Sequence, residues 1–253
     1  MLYQLFEWFK DADVKFPGSG LFQFITSRVL LAVILSLVIS AVFGKKLINY
    51  LRRQQIGESV RELGLAGEQM KKGTPTMGGL ILIMAILIPT LLLADLQKAY
   101  IRLMIFSTIW LGLIGFIDDY LKLRAKKIAQ EQHIPYKKGD KDGLAGWFKV
   151  IGQVVLGIVV ASTLIFNANT PVYREYRGVK LDSVKLVQRE LNGKKIAFVI
   201  ANEPITTIPF VKDHEFNYAK LLPQGLRSFT WLLYTAIVIF IIIAVSNGAN
   251  ITD

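Results

Sequence analysis

Two adjacent carboxylates, Asp118 and Asp119, follow a long apolar run and precede two lysines, Lys122 and Lys126. Like charges side by side repel, and a divalent cation such as Mg²⁺ is one way to keep both carboxylates ionised. On a helix, Asp119, Lys122 and Lys126 share a face, because they recur at intervals of three and four residues. Carboxylates for a metal ion beside lysines for phosphate oxygens suit phosphoryl transfer. The alternative is a helix end that meets water, with the lysines as membrane-surface anchors.

A second polar cluster, Lys71-Lys72-Gly73-Thr74-Pro75-Thr76-Met77-Gly78-Gly79, precedes another apolar run. Pro75 suits the first turn of a helix, where its missing N–H costs little. A helix that starts here presents free N–H groups and the positive end of its dipole, with Lys71 and hydroxyl groups nearby, which suits a phosphate. A helix start with a basic anchor explains the pattern equally well.

A third cluster lies near the end of the sequence, where Asn247, Asn250 and Asp253 are spaced by three. One helical face can then present two amides and a carboxylate, which suit the edge of a base or the oxygens of a sugar. A polar turn is the alternative. The two histidines, His133 and His214, lie in polar segments and are expected to be solvated. The absence of cysteine excludes thiol nucleophiles and Cys-based metal sites.

The composition places these clusters in a membrane protein. Hydrophobic residues make up 53% of the 253 residues, the mean hydropathy is +0.43, and charged residues reach only 19%, whereas a soluble domain carries about 25% charged residues. The formal net charge of +11 favours anionic head groups or phosphorylated substrates as partners. Nucleic acid is the other usual partner of a basic chain, but it is not expected at this hydropathy.

Five segments approach or exceed the roughly 20 apolar residues that a transmembrane helix needs. We therefore predict an all-α polytopic membrane protein, with residues 1–253 forming one integral membrane domain. The segment Met1–Gly20 lacks the apolar core of a signal peptide and is treated as mature chain. Small residues predict close helix packing in the second and fourth spans, at Gly78, Gly79, Gly152 and Gly157. The predicted spans are Leu21–Phe43, Met77–Ala94, Ile101–Ile117, Phe148–Phe166 and Phe229–Val245.

The charges of the loops predict the orientation. The loops Gly44–Thr76 and Asp118–Trp147 are rich in lysine and arginine, and short basic loops stay in the cytoplasm. The N-terminus is then outside, and the three polar clusters lie on the cytoplasmic side. The basic loop Asn167–Ser228 is long enough to cross regardless of its charge, so we place it outside.

That long loop carries a hairpin signal. Ser183–Glu190 and Lys194–Ile200 are rich in branched apolar residues and flank Leu191-Asn192-Gly193. An Asn-Gly pair between such runs predicts a tight turn. We therefore expect a small extracytoplasmic β-hairpin, with a structural cover as its favoured role and a binding function as the alternative.

Together the clusters resemble the bacterial phospho-N-acetylmuramoyl-pentapeptide transferases, members of the polyprenyl-phosphate N-acetylhexosamine-1-phosphate transferase superfamily. Gly73–Gly79 is similar to that family's loop before the second helix. Phe116–Lys122 resembles the superfamily's aspartate-pair motif, and Asn247–Asp253 resembles the start of its Asn-rich motif. Gly143–Lys149 is similar to the stretch that leads into the family's fourth helix. The resemblance covers nearly the whole chain.

The resemblance implies a ten-helix fold, of which five helices are present. It also implies transfer of a phospho-sugar from UDP-N-acetylmuramoyl-pentapeptide to undecaprenyl phosphate at the cytoplasmic face of the inner membrane, with UMP released and lipid I formed for peptidoglycan synthesis. Asp118 and Asp119 would be catalytic and hold Mg²⁺. The expected partners are both substrates and membrane lipids, with a homodimer as an open alternative. The substrate-binding candidates are Lys71, Thr76, Lys122, Lys126, Lys149, Asn250 and Asp253.

The sequence departs from the family pattern in two places. The loop Asn167–Ser228 is longer than the family's hairpin, and the chain stops inside the Asn-rich motif, before a later aspartate and a His-rich loop. We therefore expect an N-terminal portion that is inactive alone. Two rival functions remain. One is a related UDP-N-acetylglucosamine transferase, and the other is half of a transporter in which Asp118 and Asp119 relay protons or cations.

Overall fold

The computed structural model describes residues 1–13, 18–54, 77–132, 143–167, 170, 172–175, 186–191, 194–201, 204–208 and 215–252. The chain divides into two compact units, Met1–Gly152 and Gln153–Asp253. The prediction of one integral membrane domain is not tested by this division and stays a prediction.

The first unit is helical throughout its described part. It contains α1 (Leu2–Asp11), α2 (Ile25–Gln54), α3 (Gly79–Leu93), α4 (Ala99–Glu131) and the start of α5 (Gly146–Phe166). A short 3-10 helix precedes α2, at Ser19–Gln23. Helix α2 packs along α3, and α3 packs on α4. No secondary structure is predicted from the sequence for Met1–Gly20, so helix α1 is not among the predicted elements.

Four helices of the described residues are long and apolar enough to cross a membrane. They identify the chain as a mostly helical, multi-pass membrane protein. They are Ile25–Leu51, Ala99–Ala129, Gly146–Phe166 and Gln224–Ala249. The second predicted span, Met77–Ala94, forms the shorter apolar helix α3 of 15 residues, which contains Pro89. That it crosses the membrane stays a prediction.

Helix α3 begins at Gly79, two residues later than predicted. Met77 has a φ of 71°, in the left-handed region, which a residue inside a right-handed helix cannot adopt. The first turn is instead closed by the N–H groups of Leu80 and Ile81, which donate to Met77 O and Gly78 O at 3.1 Å. The residues 71–76, which carry most of the predicted phosphate loop, lie outside the described part.

Helix α4 continues well beyond the apolar run from which it was predicted. The run ends at Ile117, whereas α4 ends at Glu131. Asp118 and Asp119 therefore lie inside a helix and not at its end. Backbone hydrogen bonding is indifferent to whether the side chains are apolar, so a helix can continue from lipid into water.

The second unit combines the rest of α5 with strands and a last helix. Its final helix, α6, is Thr230–Thr252. The strands β2 and β3 pair antiparallel at the predicted hairpin, with Leu191 opposite Lys194; Asn192 and Gly193 lie outside the described residues. Strand β1 adds to the other edge of β3, and β4 pairs with β5. The strands are β1 (Val172–Glu175), β2 (Leu186–Leu191), β3 (Lys194–Ala201), β4 (Ile205–Thr207) and β5 (Glu215–Asn217).

The sequence-based expectation of a single hairpin thus missed three short strands. The position of these strands relative to the membrane stays a prediction. A small aromatic core lies beside them, where Tyr218 packs edge-on against Phe216 and Tyr234 at ring separations of 5.1 and 5.4 Å. Ala161 of α5 is fully buried in the same cluster.

Close packing of α5 on α6 depends on Gly157. A Cβ placed there would lie 2.9 Å from Ile239 Cα, a backbone atom that cannot move aside alone. Gly157→Ala is expected to lower the free energy of unfolding by about 1–3 kcal/mol, the usual cost of overpacking. Thermal unfolding of the purified protein in detergent measures this loss. The matched control is Gly115→Ala in α4, where a Cβ meets nothing within 4 Å; equal stability of the two variants would contradict the prediction.

Candidate functional site

The centre of the candidate site is the carboxylate of Asp118, which is buried and fully engaged by donors. Lys122 Nζ lies 2.7 Å from Asp118 Oδ2, and Lys149 Nζ lies 2.8 Å from the same oxygen. The other oxygen, Oδ1, accepts a hydrogen bond of 2.9 Å from the backbone N–H of Leu144. Only 7% of Asp118 is exposed. A buried carboxylate is tolerated when it is paired and hydrogen-bonded in this way.

These partners reach Asp118 from two parts of the chain. Lys122 lies one helical turn further along α4, at the i,i+4 spacing that places side chains on one face. Leu144 and Lys149 come from the segment that leads into α5 and from its first turn. The sequence analysis proposed Lys149 as a substrate-binding residue but did not pair it with Asp118.

Gly143 allows the segment before α5 to approach the aspartate. A Cβ at this position would collide with Asp118 Oδ1 and would lie 3.0 Å from Lys122 Cε. The absence of a side chain therefore permits the next residue, Leu144, to donate its N–H to Asp118. Gly143 is part of the motif Gly143–Lys149, but the sequence pattern does not indicate its contact with the Asp118 carboxylate.

Asp119 has a different environment from its neighbour. Its side chain is 34% exposed, and its Oδ1 lies 3.8 Å from Lys122 Nζ. The sequence analysis placed Asp119 and Lys122 on one face of a helix, and this ion pair agrees with it. The shorter ion pair of Lys122 is nevertheless with Asp118. Lys122 is thus shared between both aspartates.

A tryptophan fixes the start of α5 against α4. Trp110 Nε1 donates to the backbone carbonyl of Gly152 at 2.9 Å. A Cβ at Gly152 would collide with Ile114 Cδ1, so the predicted close packing at this glycine is confirmed. For Gly78 and Gly79, a Cβ would meet nothing within 4 Å among the described residues. The Trp110 contact keeps Lys149, one turn earlier on α5, within reach of the aspartates on α4.

The second unit contains a polar cluster of its own, between α5 and α6. Gln153 is 5% exposed. Its Nε2 donates to Ser246 Oγ at 3.1 Å, and its Oε1 accepts from Asn247 Nδ2 at 3.0 Å. Asn247 Nδ2 also donates to Ile243 O at 2.9 Å. The first residue of the predicted Asn247–Asp253 cluster is therefore held in one orientation.

Comparison with known proteins connects these sites to one family. Residues 71–83 match the phospho-N-acetylmuramoyl-pentapeptide-transferase signature 1. Proteins named phospho-N-acetylmuramoyl-pentapeptide-transferase are similar over the whole chain, with 49% identity in Flavobacterium psychrophilum, 50% in Flavobacterium johnsoniae and 43% in Parabacteroides distasonis. The chain is similar to this family throughout its length. It spans 58%, 58% and 56% of the lengths of these three relatives.

The other predicted site residues are not described to the same depth. Lys71, Thr76 and Asp253 lie outside the described residues, as do His133 and His214. Lys126 is in α4 and Asn250 in α6, but their side chains are not described. The structure therefore brings Asp118, Asp119, Lys122 and Lys149 together, and it leaves the roles of the remaining candidates as predictions.

The two aspartates differ in how well they fit the coordination of Mg²⁺. Carboxylate oxygens are its preferred protein ligands, and it usually keeps several waters and binds one or two carboxylates. Asp119, with its partly exposed side chain, fits this role. Both oxygens of Asp118 face hydrogen-bond donors, two of them cationic, so this carboxylate fits the metal only if a lysine moves away. Among the described residues, no group of three or more acidic, histidine or cysteine side chains is placed to hold a metal.

Proposed function

We propose that the full-length protein transfers phospho-N-acetylmuramoyl-pentapeptide from its UDP-linked donor to undecaprenyl phosphate, forming lipid I and releasing UMP. The relatives that match the whole chain bear the name of this transferase. The structural observation that supports the proposal best is the pairing of Asp118 with Lys122 and Lys149 in the first unit. It gathers carboxylates and ammonium groups, the groups on which phosphoryl transfer depends.

In this proposal each residue of the cluster has a separate task. Lys122 and Lys149 are partly exposed, with side chains 38% and 28% accessible, and they bind phosphate oxygens of the two substrates. Asp118 holds both ammonium groups in place. Asp119 holds Mg²⁺, which when bound stabilises charge on the departing UMP. The resemblance also gives Asp118 and Asp119 catalytic roles; deprotonation of the lipid phosphate by one of them is part of the proposal.

The geometry disfavours the transporter alternative. A carboxylate that relays protons or cations must change its charge or its partner during each cycle. Asp118 is instead held between two lysines and a backbone N–H. The N-acetylglucosamine alternative is not favoured either, because the matching relatives are named for the muramoyl-pentapeptide donor.

The test is UMP release by the purified full-length protein with undecaprenyl phosphate and Mg²⁺. We expect release with UDP-N-acetylmuramoyl-pentapeptide and little with UDP-N-acetylglucosamine. Efficient release with the second donor would favour the related transferase. No release with either donor, together with proton-coupled uptake into vesicles, would replace the proposal with a transporter.

We also propose that the protein lies in the bacterial inner membrane with its N-terminus outside and the aspartates at the cytoplasmic face. The chain has no cysteine, so single cysteines can be introduced cleanly. We expect an impermeant thiol reagent added to spheroplasts to label Thr207→Cys and not Ser59→Cys. Thr207 is exposed, whereas the neighbouring Thr206 is bonded to Tyr218 at 2.9 Å. Labelling at Ser59→Cys alone would reverse the orientation.

A further inference from the structure

We infer that Gln153 is a positioning residue that fixes the amide of Asn247, so that Asn247 offers an acceptor, Oδ1, to the UDP-linked donor. The inference rests on the proposed function, because it assigns the face of α6 that begins at Asn247 to substrate binding. Gln153 belongs to none of the motifs by which the sequence resembles the family.

Gln153 is a polar side chain inside an otherwise apolar stretch of α5, about two turns from the start of the helix. Polar groups within membrane helices are costly to bury and usually mark a function or a contact between helices. Gln153 is 5% exposed, and both ends of its amide are used, one by Ser246 and one by Asn247.

Packing alone does not explain this glutamine. One turn further along α5, Gly157 already lets Ile239 of α6 approach closely. A Cβ added at Gly157 would lie 2.9 Å from Ile239 Cα. An apolar residue at position 153 would join the same interface without a polar group to satisfy. A hydrogen-bonded network that packing does not need is best explained by the orientation it imposes.

The imposed orientation has a chemical consequence. The Nδ2 group of Asn247 has two hydrogens, and it donates to Gln153 Oε1 at 3.0 Å and to Ile243 O at 2.9 Å. The atom of this amide that is left for a ligand is the acceptor Oδ1. It can meet a hydroxyl or N–H donor of the sugar or the base, and it would repel a phosphate oxygen.

The test is steady-state kinetics of the full-length protein with Gln153→Met, which keeps the length of the side chain and removes both hydrogen bonds. We expect the KM for UDP-N-acetylmuramoyl-pentapeptide to rise up to roughly tenfold, the scale of one net neutral hydrogen bond. The KM for undecaprenyl phosphate should stay within about twofold, because the Asn247 oxygen Oδ1 is an acceptor and donates no hydrogen to a phosphate oxygen.

Two further variants separate positioning from simple packing. Ser246→Ala removes only the hydrogen bond from Gln153 Nε2 to Ser246 Oγ. It should leave both KM values near those of the unsubstituted protein. Gln153→Glu keeps the length of the side chain; a carboxylic acid donates through its O–H and accepts through its C=O, and this variant should restore the donor KM. If Gln153→Met does not accumulate in membranes, the shorter Gln153→Asn, which cannot reach both partners, replaces it.

The outcomes are distinct. A selective rise in donor KM with rescue by glutamate supports the inference. An unchanged donor KM in the loss variant, or an equal rise in both KM values, overturns it while the transferase activity of the unsubstituted protein still stands. If the unsubstituted protein transfers no phospho-sugar, the proposed function fails and the inference fails with it.

Discussion

Asp118→Asn and Asp119→Asn are each expected to slow UMP release by the full-length protein at least roughly 10²-fold, the scale of losing one key electrostatic group. Asparagine keeps the size of aspartate and removes its charge. The two variants should nevertheless differ in stability, because Asp118 is 7% exposed and the Asp119 side chain is 34% exposed. The structure thus places two adjacent residues of the same type in different environments.

Stability should fall in only one of the two variants. Asp118→Asn leaves the ammonium groups of Lys122 and Lys149 facing an uncharged amide, and we expect a loss of roughly 2–3 kcal/mol, below the full cost of breaking a buried pair because Lys122 is partly exposed. Asp119→Asn should change the free energy of unfolding by less than about 0.5 kcal/mol. Thermal unfolding in detergent distinguishes them.

The predicted effects on activity and on stability each have an outcome that would contradict them. Near-normal UMP release by both variants, with normal folding, would remove both aspartates from the proposed catalytic site and Asp119 from the proposed Mg²⁺ site. If Asp119→Asn destabilises the protein as much as Asp118→Asn does, the proposed distinction between a buried carboxylate that holds two lysines and a partly exposed carboxylate that holds the metal is wrong. Lys98→Met, which removes a lysine paired with Asp95 at 4.0 Å in a separate part of the first unit, is a suitable control.

The sequence predicted the helices well but not their ends. Apolar runs mark the part of a helix that is buried in lipid, so four of the five predicted spans correspond to helices that could cross a membrane. Hydropathy has no information on where the hydrogen-bonded backbone stops. This is why α2 continues to Gln54 and α4 to Glu131. The left-handed φ of Met77 likewise leaves no trace in hydropathy.

The sequence predicted the composition of the candidate site better than its contacts. Spacing along one helix placed Asp119 and Lys122 on the same face, because such contacts depend only on helical periodicity. The contacts of Asp118 with Leu144 and Lys149 span 26 and 31 residues of the chain. They depend on how α5 packs on α4, which Trp110 and Gly152 decide, and no local pattern contains that information.

Gly143→Ala should therefore impair catalysis through a residue that has no chemistry of its own. The added methyl group would collide with Asp118 Oδ1. Either the carboxylate or the segment before α5 must move, and the hydrogen bond from Leu144 to Asp118 is then lost. Displacement of a catalytic group by about 1 Å can cost 10²-fold in rate, so we expect UMP release to fall by roughly 10- to 10²-fold.

Two comparisons decide whether this loss passes through Asp118. Gly146→Ala, three residues later, adds a methyl group that meets nothing within 4 Å and should leave the rate unchanged. In the double variant Gly143→Ala/Asp118→Asn, the two losses should not add, because residues in direct contact couple and distant ones do not. Full additivity of the two losses, or an equal loss in Gly146→Ala, would contradict the prediction. Gly143 would then be needed only for the backbone conformation before α5, and the position of Asp118 would not depend on it.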